Sequence, residues 1–396
     1  MSLTDTPNAN RLHIALFGRR NSGKSSLVNA LTGQDTALVS DTPGTTTDLV
    51  SKAMEIQGIG PCLFIDTPGF DDEGELGELR ISRTLKAIEK TDIALLLCGD
   101  TTFSHEKEML ALLKEKNIPV IPVLNKIDIR ENSDHLATYI EEQCKIHPLL
   151  ISAKEKIGIE LIRQAILEKL PSDFGQQNIT GKLVTENDLV LLVMPQDIQA
   201  PKGRLILPQV QTIRELLDKK CLVMTCTTDK FSATLQALAR PPKLIITDSQ
   251  VFKAIYEQKP AESELTSFSV LFAGYKGDIH YYVESAAVIE RLTESSRVLI
   301  AEACTHAPLS EDIGRVKLPR LLRKWIGENL QIDMVAGTDF PQDLTPYSLV
   351  IHCGACMFNR KYVLSRIERA REQHIPMTNY GVAIAFLNGI LDQIKY

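Results

Sequence analysis

Gly18-Arg-Arg-Asn-Ser-Gly23-Lys24-Ser25 follows an apolar run, His13 to Phe17, and leads into a helical pattern that begins at Lys24. A strand, a turn bounded by glycines and a helix that opens on Lys-Ser are what a phosphate-binding loop requires. The glycines let backbone N–H groups turn inward around a β-phosphate, with Asn21, Ser22 and Ser26 lining the same turn. Lys24 is expected to reach the β- and γ-oxygens, and the Ser25 hydroxyl to ligate Mg²⁺. Outward from this loop, strands read at Leu63–Ile65, Ile93–Cys98, Val120–Leu124 and Leu149–Ile151, each followed by a loop and a helical pattern such as Ile159–Leu170. That alternation predicts an α/β section with a parallel sheet covered on both faces.

Three further fragments stand in order at strand ends. Asp66-Thr-Pro-Gly69 would hold Mg²⁺ through Asp66 and contact the γ-phosphate through the Gly69 N–H. Asn125-Lys126-Ile-Asp128 presents a carboxylate that accepts from the N1–H and amino group of guanine, a donor pair adenine lacks. Ser152-Ala153-Lys154 offers the Ala153 N–H to guanine O6. Together the four fragments predict GTP binding. Over this whole section the residues resemble the TrmE–Era branch of small GTPases. In that resemblance Pro43-Gly-Thr-Thr-Thr-Asp48 is switch I, with Thr46, or its neighbour Thr45, on Mg²⁺ and the γ-phosphate. Lys24, Thr46 and Gly69 are then the groups acting on the transferred phosphate. Asn21 matches the asparagine that, in potassium-activated members, coordinates a K⁺ bridging the phosphates. Phe70 occupies the position where Ras-like enzymes keep a water-orienting Gln, so hydrolysis should be slow unless another group, such as one in the acidic run Asp71 to Glu75, positions the water.

The chain has 396 residues, too many for one ordinary core. Its 44% apolar and 24% charged content fits a globular protein, no apolar run reaches the length of a membrane span, and Met1 to Arg11 lacks a secretory core. A cytoplasmic protein is expected. The net charge of −6 and the lack of a Lys/Arg-rich block weigh against nucleic-acid binding. The expected organisation is a GTPase domain over 11–170, a polar linker over 171–187, a small α/β domain over 188–264, and a third α/β domain over 265–396. In the second, strands read at Leu189–Met194, Cys221–Cys226 and Leu244–Thr247; three strands make a thin core, and a second copy would complete it. In the third, strands read at Phe268–Phe272, Val298–Ala301, Ile332–Val335 and Leu349–Ile351.

The third section also carries Cys304-Thr-His306 after one strand and His352-Cys353-Gly-Ala-Cys356 after another. Carboxyl ends of strands in an open α/β sheet converge on one crevice, so the two pieces can meet there. The CxxC is expected to enter a helix, whose positive N-terminal end favours thiolate. Three Cys and one His suit structural zinc, and three thiolates with an exchangeable fourth position equally suit a [4Fe–4S] cluster. The remaining cysteines, Cys62, Cys98, Cys144, Cys221 and Cys226, read as packing residues.

This GTPase section, short middle section and two-part Cys/His motif together resemble the HydF family, maturation GTPases and scaffolds of [FeFe]-hydrogenase. The resemblance implies a [4Fe–4S] cluster on Cys304, Cys353 and Cys356, a diiron precursor received from radical-SAM maturases, and its transfer to apo-hydrogenase. It places His306 and His352 at the motif positions, either on iron or donating to sulfide or thiolate. Glu302 is a candidate for the exchangeable fourth position. The competing reading is an RNA-modification or ribosome-assembly GTPase with a structural zinc.

Overall fold

A computed structural model describes residues 6–33, 50–56, 58–67, 83–99, 103–171, 174–175, 177–195, 205–303 and 312–396. The chain divides into two compact units, Met1–Phe174 and Gly175–Tyr396.

In the first unit, β1 (Leu12–Gly18) and β4 (Ile93–Cys98) are buried along their whole length, which is why both read as unbroken apolar runs. They join β2 (Val50–Ile56), β3 (Gly60–Asp66), β5 (Val120–Leu124) and β6 (Leu149–Leu150) in a six-stranded sheet ordered β2-β3-β1-β4-β5-β6. Its helices include α1 (Lys24–Thr32), α2 (Ser104–Glu115), α3 (Ser133–Cys144) and α4 (Ile159–Glu168). Leu27, Val28 and Leu31 of α1 and Ile159, Ile162 and Ile166 of α4 pack into one face. Leu110 and Leu113 of α2 and Leu136 and Ile140 of α3 cover the other. The sheet departs from the parallel one expected from the sequence: β2 runs antiparallel to β3. The two are joined by a tight turn in which the Ile59 N–H donates to Ile56 O at 3.0 Å, and a turn that short can only reverse the chain.

The second unit holds two four-stranded parallel sheets. β7 (Leu189–Val193), β8 (Leu222–Cys226), β9 (Leu244–Thr247) and β10 (Glu264–Ser267) are ordered β10-β9-β7-β8. β11 (Arg297–Glu302), β12 (Gln331–Ala336), β13 (Leu349–His352) and β14 (Met377–Asn379) are ordered β12-β11-β13-β14. Its helices are α5 (Leu207–Asp218), α6 (Phe231–Ala237), α7 (Phe252–Gln258), α8 (Phe268–Lys276), α9 (Ile279–Ala286), α10 (Leu318–Ile326), α11 (Arg360–Glu372) and α12 (Tyr380–Leu387).

The expected strand at Phe268–Phe272 is the start of α8. Ser267 Oγ accepts from the Val270 N–H at 3.2 Å, capping a helix there, and the strand instead ends at Ser267 as the fourth of the middle sheet. Val270 and Ala273 of α8 share one core with Leu191 and Ile245 of the middle sheet and with Leu299 and Val350 of the third. Phe268, Leu271 and Phe272, on its other side, pack with Val190, Leu192, Leu244 and Ile246. One apolar helix thus serves both sheets.

Candidate functional site

The nucleotide loop forms where β1 gives way to α1. Gly23 caps α1 with φ +93°, and a Cβ there would lie 2.2 Å from Asn125 Nδ2, so both conformation and space require glycine. Lys24 is buried at 8% exposure, and its Nζ donates to Gly18 O and Arg19 O, each at 2.9 Å, which aims the ammonium back over the loop. Ser25 Oγ donates to Asp66 Oδ2 at 2.9 Å, so the hydroxyl and carboxylate assigned to Mg²⁺ meet although they lie far apart in sequence. The other oxygen, Asp66 Oδ1, is buried without a hydrogen bond among the described residues. Burial raises the Asp66 carboxyl above its ordinary value, while Ser25 and Lys24 oppose the rise. A half-satisfied carboxylate beside a serine hydroxyl fits a divalent cation.

The loops expected to read guanine are tied to the loop expected to cradle phosphate. Asn125 Nδ2 donates to Ser22 O, and Asn125 Oδ1 accepts from the Ala153 N–H, each at 3.0 Å. Lys126, at φ +66°, donates to Asn21 O at 2.6 Å. Asp128 is exposed and accepts from Ser152 Oγ at 2.6 Å, a bond that lowers its pKa and keeps it a carboxylate. Asn21 lies at φ +59° at the loop tip, Ser26 is exposed in the first turn of α1, and Lys154 is exposed beyond Ala153. Thr45, Thr46, Gly69, Phe70 and the acidic run lie outside the described residues.

Two contributors escaped the sequence reading. Arg19 Nε pairs with the buried Glu106 of α2 at 3.0 Å. Arg130 donates through Nε to Asn125 O at 3.1 Å and through Nη2 to Gly99 O at 2.8 Å, bracing the guanine loop against the end of β4. Neither carries a motif, because each works through a partner distant in sequence.

In the second unit, β13 brings His352 level with Ala301 of β11, so the cysteine loop leaves the sheet beside the end of β11. His352 is therefore the last residue of the strand rather than the first beyond it. Cys353 to Cys356 is a loop with Ala355 at φ +51°, and α11 begins only at Arg360, capped by Asn359 Oδ1. The CxxC does not enter a helix directly; the left-handed residue turns the chain first. Two backbone N–H groups converge on Cys353 Sγ, from Ala303 at 3.1 Å and Ala355 at 3.4 Å. Such N–H···S bonds favour thiolate. Burial, and then the charge of Cys356, push the free Cys353 thiol up to about 11. A buried thiol that keeps its proton until a metal replaces it, yet has N–H donors aimed at sulfur, fits a metal–thiolate ligand. Cys304 and His306 lie outside the described residues, so no cluster of metal ligands is complete among those described.

His352 is fully buried and spoken for at both nitrogens. Arg366 Nη1 donates to Nε2 at 2.8 Å, which leaves the proton on Nδ1 to donate to Cys353 O, also at 2.8 Å. Burial, and next the Arg366 charge, bring its pKa down to about 3. Glu302 is also engaged, accepting from Arg315 Nε at 3.2 Å and Tyr380 Oη at 3.3 Å. All three groups crowd Gly314 or its neighbours: a Cβ on Gly314 would lie 2.1 Å from Tyr380 Oη and 2.5 Å from Glu302 Oε1.

Known families match the chain in three successive segments. Residues 13–126 match the 50S ribosome-binding GTPase family, residues 179–277 the hydrogen maturase F dimerization domain, and residues 280–395 the hydrogen maturase F tetramerization domain. The last two lie in tandem behind the GTPase and between them span more than half of the sequence. The chain belongs to the HydF family.

Curated GTPases also resemble the chain, over less than half of its length. The tRNA modification GTPase MnmE of Nitrosomonas europaea is 38% identical over 174 residues, 43% of this chain and 37% of that protein. GTPase Der of Wolinella succinogenes is 35% identical over 192 residues, 44% of this chain and 40% of that one. The chain thus spans only about two fifths of these relatives' length. Among solved structures, Aquifex aeolicus Era bound to GDP.AlF4- covers 57% of this chain and 98% of its own at 19% identity and a TM-score of 0.35. Among the described residues no helix is long and apolar enough to cross a membrane.

Proposed function

We propose that the chain is a GTP-hydrolysing scaffold that carries a [4Fe–4S] cluster, accepts a diiron precursor from radical-SAM maturases and delivers it to apo-[FeFe]-hydrogenase. GTP binds with its phosphates over Gly18 to Ser26 and its base between Asn125–Asp128 and Ser152–Lys154. Ser25 and Asp66 hold Mg²⁺, and Thr46 (or Thr45) and Gly69 complete the γ-phosphate contacts. Asn21 holds a K⁺ that neutralises charge developing between the phosphates, the part an arginine finger plays elsewhere. With Phe70 in place of a water-orienting Gln, turnover is slow.

Cys304, Cys353 and Cys356 hold the cluster, whose contribution is an iron position open to exchange. This chain's own residues aim sulfur and exclude water: Ala303 and Ala355 donate to Cys353 Sγ, and His352, with both nitrogens occupied, fixes the Cys353 carbonyl instead of binding iron. His306 serves on iron or as a donor to sulfur.

The functional unit is at least a dimer. β8 is an edge strand whose Leu222 and Met224 are 51% and 40% exposed, an apolar edge that a second copy would cover. What most supports the whole reading is the cysteine loop, with its N–H groups aimed at sulfur, in a chain whose last two segments match hydrogen maturase F domains. Anaerobic iron, sulfide and zinc analysis, read beside EPR after reduction, tests it. About four iron and four sulfide per chain with a reduced-cluster signal are expected. One tightly held zinc and no capacity to take up a cluster would overturn it.

A further inference from the structure

Two cations are buried around the cysteine loop, and neither meets a carboxylate among the described residues. Lys276, at the end of α8, is 2% exposed, and its Nζ donates to the carbonyls of Ala355, Cys356 and Phe358 at 3.3, 3.2 and 2.6 Å. Arg366, in α11, is 1% exposed. It donates to His352 Nε2, Gly337 O and Tyr362 Oη at 2.8, 2.5 and 3.2 Å, and its Nε has no hydrogen-bond partner among the described residues. The rings of Phe340, Phe358 and Tyr362 surround its guanidinium at 4.6 to 4.7 Å. Carbonyls and aromatic faces solvate a cation only in part, and a protein interior rarely keeps two charges without an anion nearby. The protein groups both cations border are the cysteine loop and the strand end from which it leaves.

We propose that Lys276 and Arg366 are the built-in counter-charge for an anionic iron–sulfur group on Cys353 and Cys356, with Lys276 setting how firmly and at what potential that group is held. This rests on the cluster reading above. Two thiolates and the inorganic core bring negative charge into a site where two positive charges already wait, so each side removes the other's burial cost. Lys276 acts through charge and through its grip on the loop. Arg360 adds to the grip, donating back to Gly277 O at 3.1 Å just past the end of α8.

Three substitutions separate charge from grip. Lys276→Gln keeps donors but removes the charge, Lys276→Arg keeps the charge, and Lys276→Met removes both. For the full chain, thermal unfolding with and without reconstituted cluster gives the cluster-linked gain in Tm. Chelator-driven iron release and an EPR-monitored redox titration complete the set. Lys276→Gln and Lys276→Met should release iron on the order of tenfold faster, as for loss of one charge-assisted contact. Both should lose part of the cluster-linked gain and shift the midpoint to more negative potential, because a nearby cation favours the added electron. Lys276→Arg should stay near the native protein in all three. If Lys276→Gln matches the native protein in release, Tm gain and potential, the charge role is refuted while the cluster reading stands. If Lys276→Met and Lys276→Gln lower Tm equally with and without cluster, the lysine is only a structural clamp and the proposal falls. Failure of the native protein to take up iron and sulfide overturns the cluster reading itself.

Discussion

Asn125 joins the two loops proposed to grip opposite ends of the nucleotide, so its truncation should loosen both. The side chain is 3% exposed, with one bond to Ser22 O and one from the Ala153 N–H, each 3.0 Å long. Asn125→Ala leaves a carbonyl and an amide without partners. A buried polar group stranded in this way costs about 1–3 kcal/mol. Ser22 is half-buried and recovers a partner from water more easily than Ala153, which is 7% exposed, so about 2–4 kcal/mol is the expected total. Carried into binding, this is roughly a 30- to 1000-fold loss of affinity. Isothermal titration of the full chain with GDP and with a non-hydrolysable GTP analogue, both with Mg²⁺, measures it. Gly23→Ala should act partly through the same side chain, since its Cβ would sit 2.2 Å from Asn125 Nδ2, so the two substitutions combined should cost less than their sum, with the backbone strain of alanine at φ +93° still present in the pair. Affinities within threefold of native for Asn125→Ala, at unchanged thermal stability, would refute the idea that this residue couples the loops.

Other outcomes follow from the same geometry. Asp128→Asn turns an acceptor pair into a mixed donor–acceptor, so preference should pass from GTP to XTP by at least about tenfold; competition binding of the two nucleotides checks this, and unchanged GTP preference counts against Asp128 as the base reader. Lys24→Ala should abolish GTP hydrolysis while iron uptake persists, and Cys304→Ser should do the reverse, losing the cluster and hydrogenase activation; normal activation by Cys304→Ser would remove that cysteine from the ligand set. Met224→Lys places a charge on the exposed apolar edge of β8, and light scattering should show a smaller assembly than the native chain; an unchanged mass would move the subunit contact elsewhere.

The loops proposed to hold the nucleotide were legible as loops because their requirements are local. A glycine at φ +93° in front of Lys-Ser, an Asn-Lys-x-Asp at a strand end and a Ser-Ala-Lys after the next strand are backbone and side-chain demands met within a few residues each. Phe268–Phe272 was misread because four apolar residues around one serine are too short a run for a period that separates strand from helix, and only the cap at Ser267 decides it. β2 was missed because its alternation is weak, with Lys52 and Glu55 among its residues. Lys276 and Arg366 were illegible for another reason. A charged residue in a helix reads as a solvated face, and its burial depends on packing against segments far away in sequence.

The clasp at the end of α8 bears on how such chains could be recombined. The two maturase segments abut between residues 277 and 280, and a splice there looks natural from sequence alone. Lys276 and Arg360 reach across that seam in opposite directions, and α8 sends Val270 and Ala273 into a core that contains Leu299 and Val350 beyond it. A chimaera joined at the seam would inherit half of each grip and an ill-fitting core. Grafting the C-terminal segment onto a foreign partner should therefore begin upstream of Ser267, with α8 travelling as part of the transplanted piece.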